Sequence, residues 1–130
     1  MTVGLSATNL ANKWLDMLAG TAFTAPTVFA VKLHTADPGS AGTTGAAAGD
    51  TTRKSVTWSS ASAGSKSMSS MSGSWTNGGT SETISHISMW DSTTAGNFLA
   101  SAALTASQAW ASTNTFSLTS LSISLSPIAA

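Results

Sequence analysis

The stretch from Thr83 to Leu104 (TISHISMWDSTTAGNFLASAAL) constrains the fold most, because it predicts two antiparallel strands joined by a turn. Ile87 and Trp90 are large apolar residues before the predicted turn, and Phe98 is one directly after it. The turn itself, DSTTAGN, is rich in residues that favour turns or tolerate positive φ. We therefore expect this hairpin to be the nucleus of a sheet on which other strands pair.

The chain carries unusually little charge. Charged residues make up 8% of its 130 residues, against about 25% in ordinary soluble domains. Five Lys and Arg balance five Asp and Glu, so the sequence offers no basic face for nucleic acid or a membrane surface. No apolar run approaches the ~18 residues that a membrane span requires. We expect no nucleic-acid partner and no membrane insertion, and a surface covered largely by copies of the chain or by a larger assembly.

The N-terminal region predicts one amphipathic helix from Ala7 to Ala19. Ser6 is a suitable N-cap, and Gly20 suits the position that follows the last turn. Apolar residues recur at helical spacing along it: Leu10, Ala11, Trp14, Leu15 and Leu18. Two interpretations of this stripe stay open, since it can pack on the sheet or dock on a neighbouring subunit.

Turn residues divide the rest of the chain into about eight short strands. This pattern predicts a mainly β fold, an antiparallel, jelly-roll-like β-sandwich with the helix added at the front. We expect a single domain over residues 1–130, with the helix at about 7–19 and the sandwich at about 27–126. Outside the hairpin, strands are predicted at 27–35, 53–59, 66–71, 73–76, 109–111, 115–118 and 121–125, with 105–108 as a link. The predicted core consists of Phe29, Val31, Leu33, Val56, Trp58, Trp90, Phe98, Phe116, Leu118, Ile123 and Leu125.

A long loop of small residues, Ser40 to Thr52 (SAGTTGAAAGDTT), separates the first two strands. It has no periodicity and no large apolar side chain. Ordering each residue costs ~1–2 kcal/mol, and the loop offers little burial in return. We therefore expect the loop to be mobile in the isolated protein.

The residues able to carry chemistry form no recognisable catalytic or metal-binding pattern. His34 and His86 are the only histidines, cysteine is absent, and the carboxylates are spread along the chain. We interpret His34 and Asp37 as a strand end followed by a turn, and His86 as a strand residue. The sequence contains no GxSxG elbow, phosphate loop or nominable carboxylate pair. We predict a non-enzymatic protein with no catalytic residue, cofactor or metal site.

Five tryptophans raise the alternative of glycan binding, because exposed aromatic rings stack on sugar faces. Trp14, Trp58 and Trp90 follow helix or strand patterns and are assigned to the core. Trp75 and Trp110 lie in weaker segments and are the better candidates for exposure. Core or subunit contact is nevertheless the favoured interpretation for these two as well.

Three segments carry a family resemblance: LHTADPG (Leu33–Gly39), a strand followed by a turn; RKSVTW (Arg53–Trp58), a basic and then aromatic strand; and the hairpin ISHISMWDSTTAGNFL (Ile84–Leu99). They resemble a family of small virion proteins of tailed bacteriophages, especially those of actinobacteria. Its members are described as tail-fibre-like or minor structural proteins.

The resemblance implies a β-sandwich that forms oligomers, with a trimer as the expected state, and that resides in the virion. It implies a structural protein, tail-fibre-like or a capsid decoration, whose partners are copies of itself and other virion proteins of the capsid or tail. The alternative is a receptor- or glycan-binding adhesin module of the phage particle, with a host surface glycan as its partner.

Overall fold

The computed structural model describes residues 3–126, and its secondary structure is mainly β. A π-helical turn at Ala7–Ala11 continues into helix α1 at Asn12–Leu18. Within the described range the strands are β1 Phe29–His34, β2 Lys54–Trp58, β3 Ser65–Met71, β4 Trp75–Thr76, β5 Glu82–Trp90, β6 Phe98–Trp110, β7 Thr115–Phe116 and β8 Ser122–Ser124. The expectation of a mainly β fold with about eight strands and an N-terminal helix is confirmed.

Most of the strands belong to one curled antiparallel sheet with the order β6-β5-β1-β2-β3-β8. The short strands β4 and β7 pair with each other in a small second sheet, which gives a sandwich-like arrangement. β5 and β6 form the hairpin that the sequence predicts, and β1 pairs with the other side of β5. The hairpin therefore provides the strand, β5, on which the rest of the sheet builds.

β6 is longer than predicted, because the supposed link at 105–108 continues the strand to Trp110. His86 pairs with Ala103, whereas Ile84 pairs with Gln108, so β6 contains extra residues opposite β5. A bulge of this kind bends a strand without ending it. The separate strand predicted at 109–111 is thus the far end of β6.

The turn between β5 and β6 is held by side chains. Asp91 accepts hydrogen bonds from the backbone N–H of Asn97 (2.6 Å) and from its side-chain amide (2.8 Å). Arg53 lies 3.8 Å above the ring of Trp90 and donates to the carbonyl oxygen of Ser92 (3.0 Å). Burial lowers the pKa of Arg53, an effect that the nearby carboxylate of Asp91 opposes. These contacts fix the turn against β2.

The main core lies on one face of the large sheet. It consists of Val31, Leu33, Ala47, Val56, Trp75, Ile84, Ile87, Met89, Ala100 and Trp110. Five residues of the predicted core pack against this cluster while only partly buried: Phe29, Trp58, Phe116, Leu118 and Ile123. Leu125 is 57% exposed, so its assignment to the core is wrong. It lies just past the end of β8, beyond the alternation that turns Ile123 inward.

Trp90 and Phe98 are buried as predicted, but they do not belong to the main core cluster. Trp90 follows the core residue Met89 in the strand and therefore points to the opposite face of the sheet. The rings of Trp90 and Phe98 meet edge to face with centroids 5.7 Å apart. Gly42 lies so close to the Phe98 ring that a Cβ there would overlap it. The loop after β1 therefore covers this second face.

That loop, residues 40–52, is fixed to the sheet, so the expectation of mobility is wrong. Ala47 is fully buried, and its N–H donates to the carbonyl oxygen of Leu33 (3.0 Å). The carboxylate of Glu82 accepts the N–H groups of Gly49 (2.6 Å) and of the preceding residue (2.9 Å). Small side chains let the backbone itself approach the sheet, so hydrogen bonds take the place of side-chain burial.

The helical segment begins at Ala7, as predicted, and ends at Leu18, one residue before its predicted end. Ser6 caps it, because its hydroxyl oxygen accepts the N–H of Asn9 (3.3 Å). Gly20 has φ +88° and donates its N–H to the carbonyl oxygen of Met17 (3.1 Å). This is the left-handed position after the last turn that glycine occupies without strain. Both ends of the helix are thus fixed by local interactions.

Candidate interaction surface

A buried cluster around His34 contains a serine–histidine pair. His34 Nδ1 lies 2.8 Å from the carbonyl oxygen of Thr44, and Nε2 lies 2.7 Å from Ser88 Oγ. Because a carbonyl oxygen only accepts, Nδ1 carries the proton, and Nε2 accepts from the Ser88 hydroxyl. Ser88 Oγ in turn accepts the indole N–H of Trp90 (2.8 Å). His34 and Ser88 are fully buried, so this cluster joins β1 to β5 and presents no nucleophile at the surface.

Acid should weaken the fold through His34. Burial lowers the pKa of His34, and the hydrogen bond to the Thr44 carbonyl only partly opposes this effect. As the pH falls below about 6.5, the unfolded chain takes up a proton that the folded chain does not, and the free energy of unfolding should fall by up to ~1.4 kcal/mol per pH unit. The stability that neutral His34 permits is therefore fully present above the pKa of His34 in the unfolded chain. It is lost as the pH falls towards the lower pKa of His34 in the folded chain.

Urea unfolding at a series of pH values would measure this loss, and His34→Gln should remove its share of the slope. Ser88→Ala deletes the hydroxyl partner without removing a titratable group, so it should lower stability and keep the slope. A His34→Gln variant with the wild-type slope would contradict the assignment.

The remaining candidates for chemistry make local contacts. Asp37 accepts the N–H of Gly39 (2.9 Å), as expected for a turn that follows a strand. His86 is half-buried in β5, and its Nδ1 lies 2.8 Å from Ser85 Oγ. Among residues 3–126, no group of three or more His, Asp or Glu side chains could hold a metal ion. No helix in the described part of the chain is long and apolar enough to cross a membrane.

Trp75 and Trp110 are the most completely buried tryptophans, with exposed fractions of 0% and 1%. Trp75 donates its indole N–H to the carbonyl oxygen of Thr52 (2.9 Å), and Trp110 donates to that of Asn114 (2.8 Å). Both rings pack edge to face against Phe116 of β7. The favoured interpretation of core contact is confirmed, and a glycan platform on these two rings is excluded.

An apolar groove of about 660 Å³ lies between the helical segment and the β2–β3–β8 side of the sheet. We call it the apolar groove; its walls include Leu10, Trp14, Phe23, Phe29, Trp58 and Ile123. Trp14 and Trp58 are only half-buried because they line it; Trp58 packs against the core cluster, whereas the assignment of Trp14 to the core is wrong.

Helix α1 exposes most of its apolar stripe. Leu10, in the π-turn, is buried, but Leu15 and Leu18 are 64% and 81% exposed. The interpretation that this stripe packs on the sheet is therefore wrong for these two leucines. The chain is attached to the sheet at Ser6, whose N–H donates to the carbonyl oxygen of Leu99 (2.7 Å), and α1 continues directly from the π-turn. The exposed leucines thus have no cover within the described chain.

Trp58, which lines the apolar groove, also carries an unpaired buried polar atom. Its indole Nε1 is the one buried side-chain nitrogen or oxygen of residues 3–126 that has no hydrogen-bond partner. Its ring meets Phe29 edge to face, with centroids 5.7 Å apart. An unpaired buried donor costs ~1–3 kcal/mol, and nearly all such groups in folded proteins find a partner.

Opposite charges flank the same surface. Lys66 lines the apolar groove, and Asp16 lies on α1 beside Leu15. Both are exposed, and neither forms an ion pair with another described residue. The surface therefore combines an exposed apolar helix, which also carries Lys13, an apolar groove with Lys66 in its wall, and the acidic Asp16.

Sequence reasoning identified part of this surface. The helical stripe and its docking alternative pointed to Leu15 and Leu18. No sequence pattern predicted the apolar groove, because Phe23 and Ile123 come from opposite ends of the chain. They are brought to the same groove only when β8 pairs with β3.

The fold and this surface define a mainly β protein with an exposed apolar face. A family described as Podophage GP4 fiber I protein gp80 matches residues 5–126. Because this match covers most of the chain, the protein belongs to that family. It is therefore a structural protein of a phage tail fibre and a component of the virion, which confirms the resemblance to virion proteins of tailed phages. No curated protein matches the chain.

Proposed function

We propose that the chain is a non-enzymatic building block of the tail fibre that associates with copies of itself and docks on other virion proteins. The observation that carries this proposal is the exposure of Leu15 and Leu18 on a helix capped at both ends. Fully burying one leucine side chain contributes ~1.5–3 kcal/mol, so covering both favours association. The low charge of the chain adds little repulsion between copies.

The other functional candidates have less support. The match to a fibre family supports a location in the tail better than a role as a capsid decoration. An adhesin requires exposed rings beside polar loops, whereas Trp14 and Trp58 stand among apolar neighbours in the apolar groove. An origin in phages of actinobacteria rests on the sequence resemblance alone and stays a prediction.

The purified protein is expected to be an oligomer. Sedimentation should give a mass that is a multiple of the 13.0 kDa chain, with three chains expected from the family resemblance. The melting temperature should rise with protein concentration, because association stabilises only the folded state. A monomer that persists at high micromolar concentration would overturn the proposed function.

A further inference from the structure

Building on the proposed self-association, we infer that helix α1 of one copy docks into the apolar groove of a second copy. The occupant is thus another molecule of the same chain, and the contact joins two different surfaces. Leu15 and Leu18 enter the apolar groove, and Asp16 pairs with Lys66 at its rim.

The apolar parts of the two surfaces match in size and chemistry. Leu15 and Leu18 lie three residues apart and therefore project from neighbouring positions on one side of α1. The apolar groove, at about 660 Å³, has room for such side chains, and its walls are aromatic and aliphatic. This arrangement corresponds to an amphipathic helix laid into a hydrophobic groove, a common mode of protein recognition.

Charge complementarity identifies the second copy as the occupant and sets its direction. Lys66 is the only charged residue that lines the apolar groove. Asp16 is the only acidic residue of α1, and it lies directly beside Leu15. With α1 reversed in the groove, Lys13 would approach Lys66, and like charges oppose this direction. The pair of Asp16 and Lys66 thus favours one orientation.

A contact between two different surfaces is heterologous. It can close into a ring in which each copy gives a helix to the next and receives one from the previous copy. The same contact left open would continue as a filament. A closed ring of three copies is compatible with the expected trimer.

The test is charge reversal and its rescue, measured by sedimentation over a range of concentrations. Asp16→Lys and Lys66→Asp should each raise the dissociation constant about tenfold. The double variant Asp16→Lys with Lys66→Asp should return close to the wild-type value, because the pair is restored with its signs exchanged. Leu18→Glu should raise the constant about a hundredfold, since it places a charge in an apolar site.

All of these positions are exposed, so the melting temperature of the isolated subunit should change little. The matched control is Thr94→Lys, which adds a charge at an exposed turn away from this surface and should associate like the wild type. A double variant that fails to recover would overturn the pairing of Asp16 with Lys66, and with it this inference.

The outcomes separate this inference from the proposed function. If the wild type and all four variants associate equally, α1 and the apolar groove are not the contact, and the inference fails while self-association stands. If the wild type is a monomer, both fail together. The inference and the proposed function are both supported if Leu18→Glu and the two single charge variants lose association and the double variant recovers it.

Discussion

Replacing Trp75 by alanine is expected to lower the free energy of unfolding by ~3–5 kcal/mol, as for other truncations of large core side chains. The ring is fully buried and packs edge to face against Phe116. The variant would also leave the carbonyl oxygen of Thr52 without its indole donor. Urea unfolding at one protein concentration would measure the loss.

The matched control is Trp14→Ala, which removes the same side chain from a half-buried position in the apolar groove. It should cost less than ~1 kcal/mol of subunit stability, because few contacts within the subunit are lost. A similar loss in both variants would show that Trp75 is no more central to the core than Trp14.

Deleting Gly42 to Gly49 is expected to abolish cooperative folding at room temperature. The deletion removes Ala47 from the core together with its hydrogen bond to Leu33. It also uncovers the ring of Phe98, against which Gly42 packs. Circular dichroism during heating would show the result as the absence of a sharp transition. A melting temperature close to that of the wild type would instead show a mobile connector, as the composition of this loop suggests.

A milder variant tests the same attachment. Glu82→Gln keeps the shape of the side chain but replaces one of the two oxygens that accept backbone N–H groups of the loop. It should cost ~0.5–1.5 kcal/mol, the net worth of a typical hydrogen bond, because one of the two bonds is exposed and the other is part-buried. The control, Asp50→Asn, weakens a 3.9 Å ion pair with Lys54 and should cost less than ~1 kcal/mol.

Subunit stability and the proposed association involve different residues. Trp75 and Glu82 make contacts within the subunit, whereas Asp16, Leu18 and Lys66 are exposed and lie on the surface proposed for association. Variants of the second group can therefore test assembly without disturbing the fold. This separation makes the charge-reversal experiment interpretable.

The sequence alone determined the local structure. Apolar residues on both sides of the turn DSTTAGN predicted the β5–β6 hairpin, because strand patterns and turn chemistry act over a few neighbouring residues. Ser6 and Gly20 predicted the ends of the helical segment for the same reason, since a cap bonds to groups within the adjoining turn. The turn and both ends of the helical segment are confirmed, whereas β6 runs six residues past its predicted end at Leu104.

Only the tertiary structure decided which of the tryptophans are buried. Trp75 is buried because β4 pairs with β7 some forty residues later, whereas Trp58 lines an open groove although it lies in a better strand pattern. The loop at 40–52 is fixed by Glu82 and Leu33, partners that its own composition does not reveal. Burial and loop order depend on contacts between distant segments, and local periodicity carries no information about which distant segments meet.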